Sequence, residues 1–132
     1  MIRKILVALI LFTLWKHTAV AEEKPIIERW YSALEQSQRS EFEALLSADA
    51  VIELKQLGIT QTKEEFIESL NHWKTISKDL AITFEWEGID ATSASAEVCY
   101  RFPDHSFTNL EIFVVQNGLV VRQEQQRMKE GC

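Results

Sequence analysis

The sequence predicts an α+β domain, with helices gathered at the start of the chain and packed on one face of an antiparallel sheet formed by the rest. Three observations carry this. Ile27, Trp30, Tyr31 and Leu34 recur at helical spacing and make one apolar stripe. Leu80, Ile82, Phe84 and Trp86 alternate with Ala81, Thr83, Glu85 and Glu87, the period of a strand buried on one side. Asn117-Gly118 falls between two Val-Val runs and supplies the pair of positive-φ positions that a tight hairpin turn requires.

In chain order, residues 1–21 read as a secretory signal peptide. Arg3 and Lys4 precede an apolar run from Ile5 to Trp15, and Ala19-Val20-Ala21 is a small-x-small cleavage site. Lys16 and His17 stop that run well short of the ~20 apolar residues a membrane span needs. The expected mature domain is residues 22–132, exported to the periplasm or secreted. Its 11 basic residues against 20 acidic give it a net charge of −9. That sign disfavours nucleic acid and anionic membrane surfaces as partners. Export allows Cys99 and Cys132, the two cysteines of the chain, to pair. An intramolecular bridge is the expectation, with an intermolecular bridge or two free thiols as alternatives.

Pro25 is suited to the first position of a helix carrying the Trp30 stripe. Ser40-x-x-Glu43 reads as a capping box opening a second helix with Phe42, Leu45 and Leu46 buried. A short strand is expected from Val51 to Lys55, ending at Gly58. Thr62-x-x-Glu65 opens a third helix running to about Ile76, with Phe66, Leu70 and Trp73 inside. Four strands follow: Leu80–Glu87, Ser93–Phe102, Phe107–Gln116 and Leu119–Met128, with turns at Gly88–Asp90 and Pro103–His105.

Taken together, Arg29-Trp-Tyr, Leu46-Ser-Ala-Asp-Ala-Val-Ile-Glu53, Gly58-x-x-Gln-Thr-Lys-Glu-Glu-Phe66 and Asn117-Gly-Leu-Val-Val-Arg122 resemble the nuclear transport factor 2-like superfamily, and within it the SnoaL-like branch. The resemblance covers nearly all of residues 22–132. It implies a cone: a strongly curved antiparallel sheet packed against three N-terminal helices, enclosing an apolar pocket. It also implies dimers formed through outer sheet faces. The superfamily includes ketosteroid isomerases, in which a carboxylate moves a proton while a phenol and a neutral carboxylic acid hold an oxyanion. Aligned on that pattern, the phenol position is Trp30, the base position Leu54 and the acid position Leu110. Neither leucine can exchange a proton, and an indole can only donate.

With Leu110 inward, Ile112 and Val114 follow it, facing Ala94, Ala96, Val98, Tyr100 and Phe102. On the last strand Leu119, Val121, Gln123, Gln125 and Arg127 point the same way. The expected pocket is then Trp30, Leu34, Leu54, Trp73, Tyr100, Leu110, Gln123 and Gln125. Gln123, Gln125 and Arg127 could recognise a carbonyl or carboxylate, or could simply lie at the wet end of the strand. His72, beside Trp73, is the one candidate general base, with a plain helix-surface histidine as the alternative. His105 reads as an exposed loop residue and Glu53 as an outer-face one; Tyr31 would reach a backbone carbonyl with its hydroxyl. Nothing has metal-ligand spacing, no glycine loop cradles phosphate, and no cofactor is expected. On the opposite face Phe107, Phe113, Val115, Val120 and Met128 form an apolar set that predicts a homodimer.

The function expected is that of an exported domain binding a small apolar ligand without catalysis. An enzyme of isomerase, cyclase or hydrolase type with non-standard residues, or a dimeric interaction module with a plugged pocket, are the alternatives.

Overall fold

The computed structural model describes residues 20–90 and 93–132. The predicted leader lies almost wholly outside the described residues. Among those described, no helix is long and apolar enough to cross a membrane.

Helix α1 (Val20–Gln36) begins upstream of Pro25, which is therefore inside it rather than at its start. Its predicted stripe is buried: Ile27 and Trp30 fully, Tyr31 and Leu34 nearly so. The helix ends at Ser37, whose φ of 51° turns the chain. The Gln38 N–H then donates to the Ala33 carbonyl at 2.9 Å. Because the backbone itself closes this turn, α2 (Arg39–Leu45) restarts at once, with Gln38 at the N-cap position and no side-chain cap. Ser40 is thus inside α2, and the predicted Ser40–Glu43 capping box does not form. At the other end of α2, Lys63 Nζ donates to the carbonyls of Glu43 (2.9 Å) and Leu46 (3.0 Å). A cation is favourable at that helix terminus.

Strand β1 (Leu46–Leu54) is longer than predicted, and a single turn of 3₁₀ helix at Lys55–Leu57 follows it. Gly58, at φ 62°, then reverses the chain into β2 (Ile59–Thr62), a short, mostly exposed strand that was not predicted. Thr62 caps α3 (Lys63–Ile76) with both halves of the predicted capping box, Thr62 to the Glu65 N–H and Glu65 to the Thr62 N–H. The remaining strands are β3 (Ala81–Ile89), β4 (Ser93–Arg101), β5 (Ser106–Gln116) and β6 (Leu119–Glu130). Gly88 lies within β3, opposite Ser95, so that turn falls later than expected.

The sheet order is β2-β1-β6-β5-β4-β3. It is mixed rather than wholly antiparallel, because β1 runs parallel to β6. Six strands and three helices make an α+β cone with the helices on its concave side, where Trp30, Phe42, Phe66 and Phe113 form one aromatic cluster.

Register corrects the predicted faces of β5. Ala94, Ala96, Val98 and Tyr100 of β4 point inward as expected. Their partners across the ladder are Phe113, Glu111, Asn109 and Phe107, which share their face. Leu110, Ile112 and Val114 therefore lie on the convex side. A one-residue offset exchanges every side chain between faces. A register shift at Val114/Val115 also brings Val120, not Leu119 or Val121, into the core, while Gln123 still points inward. The predicted outer set is overturned with it. Phe113, Val115 and Val120 are core, Phe107 packs against it, and Met128 is simply exposed. What the convex face carries is the half-buried stripe Leu110, Ile112 and Val114, flanked by Glu97, Ser95 and Ser93 on β4 and by Gln126, Glu124 and Arg122 on β6. Glu53 lies on this face as predicted, in an ion pair with Arg122 at 2.7 Å.

Cys99 and Cys132 form the intramolecular disulfide, with their Cα atoms 5.7 Å apart. The tail is also held by Gly131, which donates to the Ser106 carbonyl and accepts from the Thr108 hydroxyl. Closing a loop of 33 residues constrains the unfolded chain by roughly 3–4 kcal/mol in the chain-entropy model. Urea unfolding with and without reductant should differ by about that amount, as should the Cys99→Ser/Cys132→Ser double variant from the parent.

Candidate functional site

One cavity, about 710 Å³, opens between α3, the β1–β2 connection and the β4–β5 hairpin. Its depth follows from burial. Leu34, Phe66, Leu70, Tyr100 and Asn109 line its interior and are almost wholly buried, whereas Gln56, Leu57, Ile76 and the Pro103–His105 turn form an exposed mouth. Trp73 makes one wall. Its indole N–H donates to the Leu34 carbonyl at 2.8 Å and so ties α3 to the last turn of α1. Its ring stands edge-on to Tyr100 and Phe102. At the mouth His105 lies flat on Phe102, ring centres 4.6 Å apart, and is paired with Asp104 at 2.8 Å. That hydrogen bond holds the Asp104 carboxyl below its usual range. Arg127 lays its guanidinium over the Phe107 ring, 3.6 Å from the centroid.

Behind Tyr100 and Asn109 lies the feature that sequence reasoning missed. Glu111 is fully buried and its two oxygens accept from four donors. Tyr31 Oη (3.0 Å) and Gln123 Nε2 (3.0 Å) reach Oε1, while Tyr100 Oη (2.5 Å) and Asn109 Nδ2 (3.2 Å) reach Oε2. Those bonds set the polarity further out. Gln123 Oε1 accepts from Gln125 Nε2, and Asn109 Oδ1 accepts from Arg127 Nε. One chain of hydrogen bonds thus runs from the core to the cavity lining.

Burial pushes the Glu111 carboxyl up from its ordinary value, and the bonds from Tyr100, Asn109, Tyr31 and Gln123 pull it back down. Both phenols are driven well above theirs, first by burial and then by the neighbouring Glu111 charge. They stay protonated and donate.

Of the predicted pocket residues, Leu34, Leu54, Trp73, Tyr100 and Gln125 line the cavity, as does Arg127. Three do not. Trp30 is packed among Phe42, Phe66 and Phe113, its indole N–H without a hydrogen-bond partner among the described residues. Leu110 is on the convex face. Gln123 is buried in the network behind the lining. His72 is exposed on α3 and is not among the residues that line the cavity. Tyr31 meets Glu111 rather than a backbone carbonyl. Trp30, Leu54 and Leu110, the three positions aligned with the isomerase groups, do not share the cavity, and the residues next to two of them, Tyr31 and Glu111, face each other inside the fold.

No family model matches the chain, and no curated protein matches it. Solved structures do. A proposed ketosteroid isomerase from Kribbella flavida is 22% identical, with a TM-score of 0.72 over 85% of this chain and 82% of that one. A nuclear transport factor 2-like protein of unknown function from Burkholderia xenovorans is 14% identical, TM-score 0.70, covering 83% and 84%. An LEH-like epoxide hydrolase from M. tuberculosis is 13% identical, TM-score 0.60, covering 83% and 84%. The chain has the nuclear transport factor 2-like fold.

Glu111→Ala leaves four buried donors unpaired and should cost roughly 3–5 kcal/mol in urea unfolding. The pH dependence has a definite sign. A carboxyl whose folded pKa is raised contributes stability that is full below the unfolded value and is lost as pH rises through the folded one. The stability of the wild type relative to Glu111→Gln should therefore fall as pH rises above about 4, the value of the unfolded carboxyl, read by denaturation of both proteins across that rise.

Proposed function

We propose that the domain binds a small, largely apolar molecule in the cone cavity and does not turn it over. The observation that carries this reading is the cavity itself: open, walled by Leu34, Phe66, Leu70, Trp73, Phe102 and Phe107, with Asn109 and Gln125 as polar groups among them. A volume of about 710 Å³ suits a ligand of two to four rings. The plugged-pocket alternative loses its support, since Trp30 fills core space elsewhere. Two structural neighbours carry enzyme names, for a ketosteroid and for an epoxide. Those names favour small organic molecules as occupants without choosing one.

A second reading, an enzyme of isomerase, cyclase or hydrolase type, is favoured by the buried carboxylate and two phenols behind the cavity lining. Against it stands the count of bonds. A general base needs a lone pair within reach of its substrate, and both Glu111 oxygens already take two donors each. Binding remains the better account.

Export and self-association belong to the same proposal. The leader pattern in residues 1–21 and the Cys99–Cys132 bridge support a periplasmic or secreted site of action. The Leu110, Ile112 and Val114 stripe supports a homodimer through the convex face.

1-N-Phenylnaphthylamine should bind at one site per chain with a micromolar dissociation constant. Ser69→Trp, which projects a ring into the cavity from α3, should weaken it at least tenfold with the fold intact by circular dichroism. Unchanged binding in that variant overturns the cavity as the site. Ile112→Asp should convert a dimer to a monomer in sedimentation equilibrium; a wild-type mass of one chain at micromolar concentration removes the dimer.

A further inference from the structure

The geometry points to the chemical group that the cavity reads: a ligand hydroxyl, donating to Tyr100 Oη, rather than a ketone or an ether. This inference rests on the cavity being the binding site. It follows from the direction of the hydrogen bonds, which a single group dictates. In this arrangement both Glu111 oxygens accept, each from two donors. Tyr31, Tyr100, Asn109 and Gln123 must therefore each present a donor to it.

The consequence at the cavity wall is specific. A phenol has one proton, and that of Tyr100 is used on Glu111 at 2.5 Å. What Tyr100 has left is lone-pair density, so this residue, which lines the cavity, is an acceptor. The neighbouring amides are set by the same carboxylate. Asn109 turns its NH₂ to Glu111 and its carbonyl to Arg127, and Gln125 turns its NH₂ to Gln123, leaving its own Oε1 as a second acceptor. Each NH₂ keeps one further hydrogen. A floor that combines a phenol acceptor with amide hydrogens matches a group that both donates and accepts, and an alcohol or phenol is that group. A ketone or an ether would place its oxygen against the lone pairs of Tyr100 and leave that acceptor unpaired when water is excluded.

The test uses three probes of one ring system: 2-naphthol, 2-methoxynaphthalene and 2-acetylnaphthalene, titrated into the intact protein at neutral pH and read by calorimetry. The naphthol should bind about tenfold more tightly than either of the others, the value of one hydrogen bond in a site without competing water. Tyr100→Phe should bring the three probes within about twofold of one another. Tyr31→Phe strips the other phenol from the same carboxylate on the side away from the cavity and serves as the control for damage to the network. It should keep at least a fivefold preference for the naphthol. Equal affinities in the wild type, or tighter binding of the ketone, overturn the hydroxyl assignment and leave the cavity reading standing. A preference that survives Tyr100→Phe overturns the role given to Tyr100. Failure of all three probes to bind takes down the cavity reading and this inference together.

Discussion

An acceptor with no donor of its own, placed where water cannot reach it, constrains everything around it. Glu111 is that acceptor. Burying a carboxylate without partners costs far more than a domain of this size could bear, so each of its oxygens must be met from the surrounding elements. Tyr31 comes from α1, Tyr100 from β4, Asn109 from β5, the strand of Glu111 itself, and Gln123 from β6. The carboxylate thereby holds the first helix to three neighbouring strands at one point. It also fixes which way each amide and phenol faces. Hydrophobic burial around Trp30 and Phe113 supplies most of the driving force for folding, but it has no direction. The orientation of the cavity's polar lining comes from Glu111.

Much of the architecture could be read from the chain, and the reasons are local. The Thr62–Glu65 box is a property of four residues, and it forms as expected. Asn117 and Gly118 have positive φ, 52° and 74°, because few other pairs tolerate such a turn. The Ala94 to Tyr100 alternation places small and aromatic side chains on the concave side without help from elsewhere. Strand β5 was harder. Its two faces, Phe107-Asn109-Glu111-Phe113-Val115 and Leu110-Ile112-Val114, are both apolar enough to be buried, and the second is the more uniformly so. Hydrophobicity alone favours the wrong one. The β6 irregularity near Val114 and Val115 shifts the count from the hairpin turn, so register could not be carried back from Asn117-Gly118 either. Glu111 shares the face that hydrophobicity alone leaves outside, and the predicted outer apolar set follows from that same exchange of faces. A capping box likewise needs a free helix start, and the backbone closure at Ser37 left Ser40 none.

The shared cone says little about chemistry. Neighbours with the same fold range from a proposed ketosteroid isomerase to an epoxide hydrolase and a protein of unknown function, all below 25% identity. Inside that common shape this chain's interior acid is saturated by donors, and its charged groups at the mouth, Arg127 and the Asp104–His105 pair, are occupied with one another, with Asn109 or with aromatic faces. Pre-arranged dipoles of this kind favour recognition, since nothing need reorganise when a guest arrives.

Cys99 and Tyr100 are consecutive residues of β4, and so they project from opposite sides of the same strand. The covalent staple to Cys132 therefore stands back to back with the phenol at the cavity floor. Cleaving it in a thiol-rich environment would leave the C-terminal end of β6, the strand that also supplies Gln123, Gln125 and Arg127, held by hydrogen bonds alone, those of Gly131 to Ser106 and Thr108 among them. The tail's covalent anchor and the cavity's phenol are in this way separated by the thickness of a single strand.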